Sequence, residues 1–194
     1  MVKQIETVSI IGLGALGILF GHHLSKRMPP GTLRIIADNN RIENYTRNPV
    51  YCNGEKCEFH FVTPDEDTGP ADLVIFTVKF GGLDKAIQDM RNQIGKDTII
   101  LSALNGISSE EVISRAYGWE NILYCVAQGM DGIRTGNSLR YENMGMLCFG
   151  DRQPGTVSDK VKAVEQFFLH TDFPHEVETD MQKRMWGKFM LNVG

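Results

Sequence analysis

Three glycines in the run Gly12-Leu13-Gly14-Ala15-Leu16-Gly17 have the G-x-G-x-x-G spacing that lets a backbone turn tightly against a diphosphate. Gly12 permits the turn, Gly14 removes the side chain where a pyrophosphate would approach, and Gly17 lets the following helix pack close to its sheet. That helix would offer free N–H groups and the positive end of its dipole to the phosphates. The pattern alone is common, and its setting makes it more specific. The apolar run Thr7-Val8-Ser9-Ile10-Ile11 precedes it, and Leu16, Phe20 and Leu24 follow with helical spacing. Asp38 then closes the next apolar run, 21 positions beyond Gly17. A carboxylate there accepts from both ribose hydroxyls, which favours NAD. Arg41, three residues on, would meet a 2'-phosphate and favour NADP if it turned inward, and otherwise is a solvated loop cation. These residues leave the choice between the two cofactors open.

A second group of polar residues falls where such a sheet binds ligands, beyond the carboxyl ends of its strands. Lys79 follows the run Asp72 to Val78, and Asn105 stands just before Gly106, past the run Thr98 to Leu101. Each also has a plainer reading, Lys79 as a surface cation and Asn105 as a turn residue. Met181, Met185, Lys188 and Asn192 share one stripe of a helix at about 100 degrees per residue. An amine and an amide then lie beside apolar side chains, unless Lys188 snorkels out to solvent.

The elements that must position these residues alternate between strand and helix. Thr32 to Ala37 follows the breaker Pro29-Pro30-Gly31 and completes a first beta-alpha-beta unit. Val50 to Cys52 and Glu58 to Val62 flank Asn53-Gly54, which predicts a hairpin excursion. Leu83, Ala86, Ile87, Met90 and Ile94 line a helical face, and Ser108 with Glu111 has capping-box spacing before a third helix. Ile122 to Ala127 and Met146 to Phe149 read as strands, and helices follow from Val157 to Phe168 and from Met181 to Val193. The expected fold is α/β, a Rossmann-type doubly wound, mainly parallel sheet over residues 1–178, with residues 179–194 starting an all-helical second domain.

Four segments together resemble the ketopantoate reductase family, which reduces 2-dehydropantoate to pantoate with NADPH on the way to pantothenate and coenzyme A. They are Ile11-Gly12-Leu13-Gly14-Ala15-Leu16-Gly17, Thr77-Val78-Lys79, Leu104-Asn105-Gly106-Ile107 and Trp186-Gly187-Lys188-Phe189-Met190-Leu191-Asn192. The glycine turn is generic to dehydrogenases, and the last two segments are far more specific. The resemblance implies that Lys188 is the catalytic general acid and also binds substrate with Asn105 and Asn192. It implies that Lys79 and Asn105 contact the cofactor, which adds them to the glycine turn Gly12, Leu13, Gly14, Ala15, Leu16 and Gly17 and to Asp38 and Arg41 as candidate cofactor residues, with NADP expected by family and NAD by virtue of Asp38. Family members continue past the Lys-x-x-x-Asn segment into a helical domain that adds substrate contacts and a dimer surface. The chain therefore reads as a truncated piece whose last helix leaves its apolar side uncovered.

Composition bounds the alternatives. Hydrophobic residues at 42% and charged ones at 23% suit a folded globular chain. A formal charge of -4 without a basic block argues against nucleic acid. No signal-like start and no membrane-length apolar run leaves a cytoplasmic protein with no membrane partner and four reduced cysteines as the expectation. The five histidines lack metal-ligand spacing, so no metal is expected. The expected partner is a small 2-keto acid, with a homodimer through the absent helical domain. Two rivals stand beside this reading, a non-catalytic dinucleotide sensor and another beta-hydroxyacid-type dehydrogenase. The Lys188 and Asn192 pair favours the reductase, because a sensor needs no proton donor.

Overall fold

A computed structural model describes the backbone of residues 2–193 and the side chains of residues 2–190. In chain order the elements are β1 (Val8–Ile11), α1 (Ala15–Ser25), β2 (Leu33–Ile36), α2 (Asn39–Arg47), β3 (Tyr51–Cys52), β4 (Glu55–Lys56), β5 (Phe61–Val62), β6 (Leu73–Phe76) and α3 (Leu83–Asp89). They continue as β7 (Ile99–Ser102), α4 (Ser109–Tyr117), β8 (Ile122–Gln128), β9 (Ile133–Thr135), β10 (Ser138–Arg140), β11 (Met146–Gly150), α5 (Asp159–His170), β12 (His175–Val177) and α6 (Met181–Val193). The main sheet has eight strands in the order β12-β11-β8-β7-β6-β1-β2-β5. All neighbours pair in parallel except β11 with β8.

The doubly wound arrangement follows from the period of two along each strand. Val8, Ile10, Leu73 and Ile75 pack with Phe20 of α1 and Phe168 of α5 on one face. Ile11, Val74 and Phe76 pack with Leu83 of α3 and Ile113 of α4 on the other. Because both faces are covered, these strands are apolar throughout rather than alternating. β1 lies between β2 and β6, so the chain winds outward in both directions from it, and ligands in such sheets bind at that reversal. The registers Ile11↔Ile36, Ile11↔Phe76 and Phe76↔Ser102 bring the carboxyl ends of four strands level. Gly12, Asp38, Lys79 and Asn105 therefore emerge along one edge.

Several expectations needed correction. The turn Asn53-Gly54, with φ of 49 and 83 degrees, does close a hairpin, but its second strand is β4 rather than Glu58 to Val62. Phe61 and Val62 instead join the main sheet beside β2, where their side chains gain cover. The hairpin belongs to a separate four-stranded sheet, β4-β3-β10-β9. The loop expected after Asp38 is the helix α2, which buries no residue fully and packs only the half-buried Tyr45 against the core, stacked on Phe61. The capping box does not form: Ser108 makes no side-chain cap, and Glu111 pairs outward with Arg115 at 3.0 Å. All four cysteines are buried, unbridged thiols.

The edge is held together at the glycine turn. Thr77, the first residue beyond β6, donates its hydroxyl to the Ile11 carbonyl at 2.9 Å and the Gly12 carbonyl at 2.6 Å. A Cβ on Gly17 would stand 1.9 Å from the Gly12 carbonyl oxygen and 2.8 Å from the Thr77 hydroxyl. One on Gly14 would meet nothing nearer than the Thr77 carbonyl at 3.5 Å, an ordinary contact, at a φ of -74 degrees. The fold thus requires glycine at position 17 and not at 14. Gly17→Ala is expected to cost about 3 kcal/mol or more, the upper range for forcing atoms into a packed site. Gly14→Ala should cost less than about 1 kcal/mol, the scale of a changed cap residue. Urea denaturation of the two variants checks this, and equal losses would contradict it.

Candidate active site

The empty place over Gly14 is the first sign of a ligand. No side chain caps the N-terminus of α1, which has Gly14 as its cap residue and no acidic residue in its first turn. Unpaired N–H groups at a helix start with nothing anionic nearby suit a phosphate. The turn is flanked by two clefts. The smaller, about 420 Å³, is bordered by Gly12, Gly14, Arg41, Thr77, Lys79 and Lys85. The larger, about 1090 Å³, is bordered by Leu16, Asn105, Ala127, Met130, Arg184 and Lys188. A dinucleotide whose pyrophosphate lay on Gly14 would reach into both, so the residues present fit such a group.

In the smaller cleft the roles of Asp38 and Arg41 are linked. Asp38 caps α2, accepting from the Arg41 backbone N–H at 3.0 Å, and its other oxygen is 3.5 Å from the Arg41 Nε. Arg41 is therefore neither a loop cation nor free of the carboxylate, and it is Arg41 that borders the cleft. Arg134, on β9 of the small sheet, also borders the cleft. Lys85 is paired with Asp89 at 2.7 Å. Neither Lys85 nor Arg134 was picked out by sequence reasoning, since each lies in an element without a motif of its own. Lys79 lies immediately past the Thr77 lock, at the mouth of the same cleft.

In the larger cleft the expected pair comes together. Asp180 immediately precedes α6, and its carboxylate accepts from the Lys183 N–H at 3.1 Å. Met181 and Met185, both buried, then seat the helix on Val126 of β8 with Ile107 and Tyr124 alongside. The next residue of that stripe, Lys188, bends over the end of β8. Its Nζ donates to Asn105 Oδ1 at 3.0 Å and to the Ala127 carbonyl at 2.5 Å. Partial burial holds the amine below the usual lysine range, because desolvation disfavours its charged form. Arg184, by contrast, is committed to Glu176 at 2.7 Å and Glu178 at 3.3 Å. Lys183 and Lys188 border the cleft with no carboxylate partner among the described residues.

Ala127, Gln128 and Met130 border the cleft without having been singled out, since residues at the end of a strand without a motif carry no chemical signal of their own. The side chain of Asn192 lies outside the described residues. The apolar side of α6 expected to be uncovered is the one seated by Met181 and Met185, while Trp186 and Met190 on its other side are exposed.

The chain matches the family described as ketopantoate reductase PanE/ApbA over residues 8–153. A 2-dehydropantoate 2-reductase of Streptococcus pyogenes serotype M3 is 31% identical over 190 residues, covering 95% of this chain and 61% of that protein. One of Aquifex aeolicus is 24% identical over 192 residues, covering 94% and 59%. The solved structure of 2-dehydropantoate 2-reductase from Geobacter metallireducens GS-15 superposes with a TM-score of 0.80 at 21% identity, over 96% of this chain and 62% of that one. A D-mandelate dehydrogenase in complex with NADH gives a TM-score of 0.80 at 21% identity, over 96% and 60%. The chain thus spans about 61% of the length of the Streptococcus relative. A match that runs from β1 through β11 carries the sheet, the glycine turn and the Asn105 turn with it, and the chain belongs to the ketopantoate reductase PanE/ApbA family of oxidoreductases.

Proposed function

We propose that this chain provides the dinucleotide-binding domain, residues 1–178, and the lysine-bearing helix, from residue 179, of an NADPH-dependent 2-dehydropantoate reductase. The observation that carries the reading is the Lys188 amine, partly buried and held by Asn105 and the Ala127 carbonyl beside the glycine turn. A reduced nicotinamide, when bound, supplies a hydride to the C2 carbonyl of a 2-keto acid. Lys188 gives a proton to the carbonyl oxygen as it gains negative charge, and its ammonium stabilises that charge beforehand. The lowered pKa makes it a better acid, and the two acceptors fix where the amine sits. Asn105 spends its Oδ1 on Lys188 and keeps its amide donor for cofactor or substrate. Asn192 would add a second amide to the substrate carboxylate side. The 2-dehydropantoate 2-reductases among the relatives support this substrate, and the same proposal includes a place in making pantothenate and coenzyme A, a cytoplasmic setting and a dimer formed through a further helical domain.

A second reading rests on Asp38. A carboxylate at the end of β2 repels a 2'-phosphate, and the D-mandelate dehydrogenase of the same fold was solved with NADH. An NADH-linked reductase of another 2-keto acid is that alternative. The ion pair bears on this choice, since Asp38 lies 3.5 Å from the Arg41 Nε and would stand beside any 2'-phosphate that the guanidinium met. Asp38→Asn keeps an oxygen to cap α2 while removing the charge, and is expected to shift preference toward NADPH by tenfold or more, about 1.4 kcal/mol. Calorimetric titration of both reduced cofactors checks this. A wild-type preference for NADH above about a hundredfold, some 2.7 kcal/mol, would overturn the NADPH assignment.

For the proton donor, Lys188→Ala should lower kcat with 2-dehydropantoate by about 10² to 10⁴. Reduced-cofactor affinity should change little, because the lost interaction forms mainly in the transition state. Steady-state kinetics on a chain extended to the relatives' length, alongside cofactor titration, measures both. Near-normal kcat would return Lys188 to a structural role.

A further inference from the structure

Behind the Asn105 turn lies a carboxyl group that the reaction does not touch. Glu110, the second residue of α4, is 1% exposed. Its Oε2 accepts from the Ser109 hydroxyl at 2.8 Å, and the Ser109 oxygen accepts from the Ser102 hydroxyl at 2.8 Å. All three side chains are buried. Ser102 ends β7 and Ser109 starts α4, so the chain of hydroxyls closes the base of the turn 103–108, at whose tip Asn105 is exposed. The tip needs such a clamp, because Gly106 takes a φ of 111 degrees and Ser108 leaves the start of α4 uncapped by any side chain. The Glu110 carboxylate accepts from its own backbone N–H and supplies negative charge at that helix start instead.

Buried carboxylates are ordinarily paired, and this one forms no ion pair among the described residues. The titratable group facing it is the Cys125 thiol of β8, which burial keeps neutral and which also lies within electrostatic reach of Lys188. Glu111 is turned outward to Arg115, and on the adjoining α3, Lys85 and Asp89 pair with each other. Burial raises the Glu110 pKa to about 7 against the pull of its hydrogen bonds. A hydroxyl chain aimed at an acceptor suits the ionised form, and a protonated Glu110 removes one acceptor site and competes to donate.

We propose that Glu110 is a positioning residue: ionised, and linked to β7 through Ser109 and Ser102, it holds residues 103–108 in the shape that presents Asn105 to Lys188. The importance of that presentation rests on the proposed reductase function, but the clamp itself is read without turnover. The test follows the Asn105 side-chain amide by nitrogen-15 NMR from pH 5.5 to 8.5, the resonance being assigned by its loss in Asn105→Asp. In the wild-type chain it should shift sigmoidally with a midpoint near neutrality. In Glu110→Gln, which keeps the size and removes the charge, that step should vanish. Ser109→Ala, which breaks the clamp in the middle and spares the carboxyl, should reduce its amplitude by at least half. A step that persists in Glu110→Gln would assign it to another group and overturn the proposal, as would an amide that does not respond in the wild type. Loss of the step with Lys188→Ala kinetics unchanged from wild type would leave the clamp standing and remove the catalytic reading alone.

Discussion

The Gly12 carbonyl is approached from two sides, by the Thr77 hydroxyl and by a bare Gly17, and the site depends on that close packing. Helix α1 can aim its free N-terminus across the edge of the sheet only because no side chain separates it from the turn. Thr77 ties the same carbonyl to the end of β6, so the turn and the Lys79 segment are held in common register. The strands then carry Asp38 and Asn105 to the same edge through parallel pairing alone. Placement of the polar residues is thus a consequence of sheet geometry more than of contacts between them.

What that edge does is divided between its two clefts. On one side, Arg41 is restrained by Asp38, whose negative charge would oppose a 2'-phosphate brought to the guanidinium. Such a partly exposed pair contributes little stability, about 0 to 1 kcal/mol, so its bearing is on the charge of the cleft more than on the fold. On the other side, Lys188 is delivered by a helix seated on two methionines and is held by an amide and a carbonyl that do not neutralise its charge. The contrast with Arg184 of the same helix, bound by two carboxylates, marks Lys188 as a cation kept available.

Much of this was legible in the residues. The glycine turn, the buried strands and the Met181, Met185 and Lys188 stripe each carry a periodic or steric signal that local sequence expresses directly. The features that were missed lack one. Helix α2 has only Ile42 and Tyr45 for an apolar side and is started by the Asp38 cap, whose carboxylate also has the placement of a ribose acceptor. Glu58 to Val62 has strand-forming residues, but its partner is decided by the main sheet rather than by the nearby Asn53-Gly54 turn. At the start of α4, Ser108 and Glu111 have the spacing of a capping box, yet Ser108 takes φ and ψ of -117 and -9 degrees rather than the extended backbone a capping residue needs. Tertiary packing made the choice in each case.

The fold places a desolvated, chargeable amine at the ligand edge. The most direct measurement is the pKa of Lys188, read by carbon-13 NMR of its ε-carbon in the wild-type chain and assigned by loss of the signal in Lys188→Ala. The account predicts a midpoint below the value of about 10.4 usual for lysine, since burial is the dominant influence on the group. A midpoint at or above that value would describe a solvated or ion-paired lysine and would contradict the account.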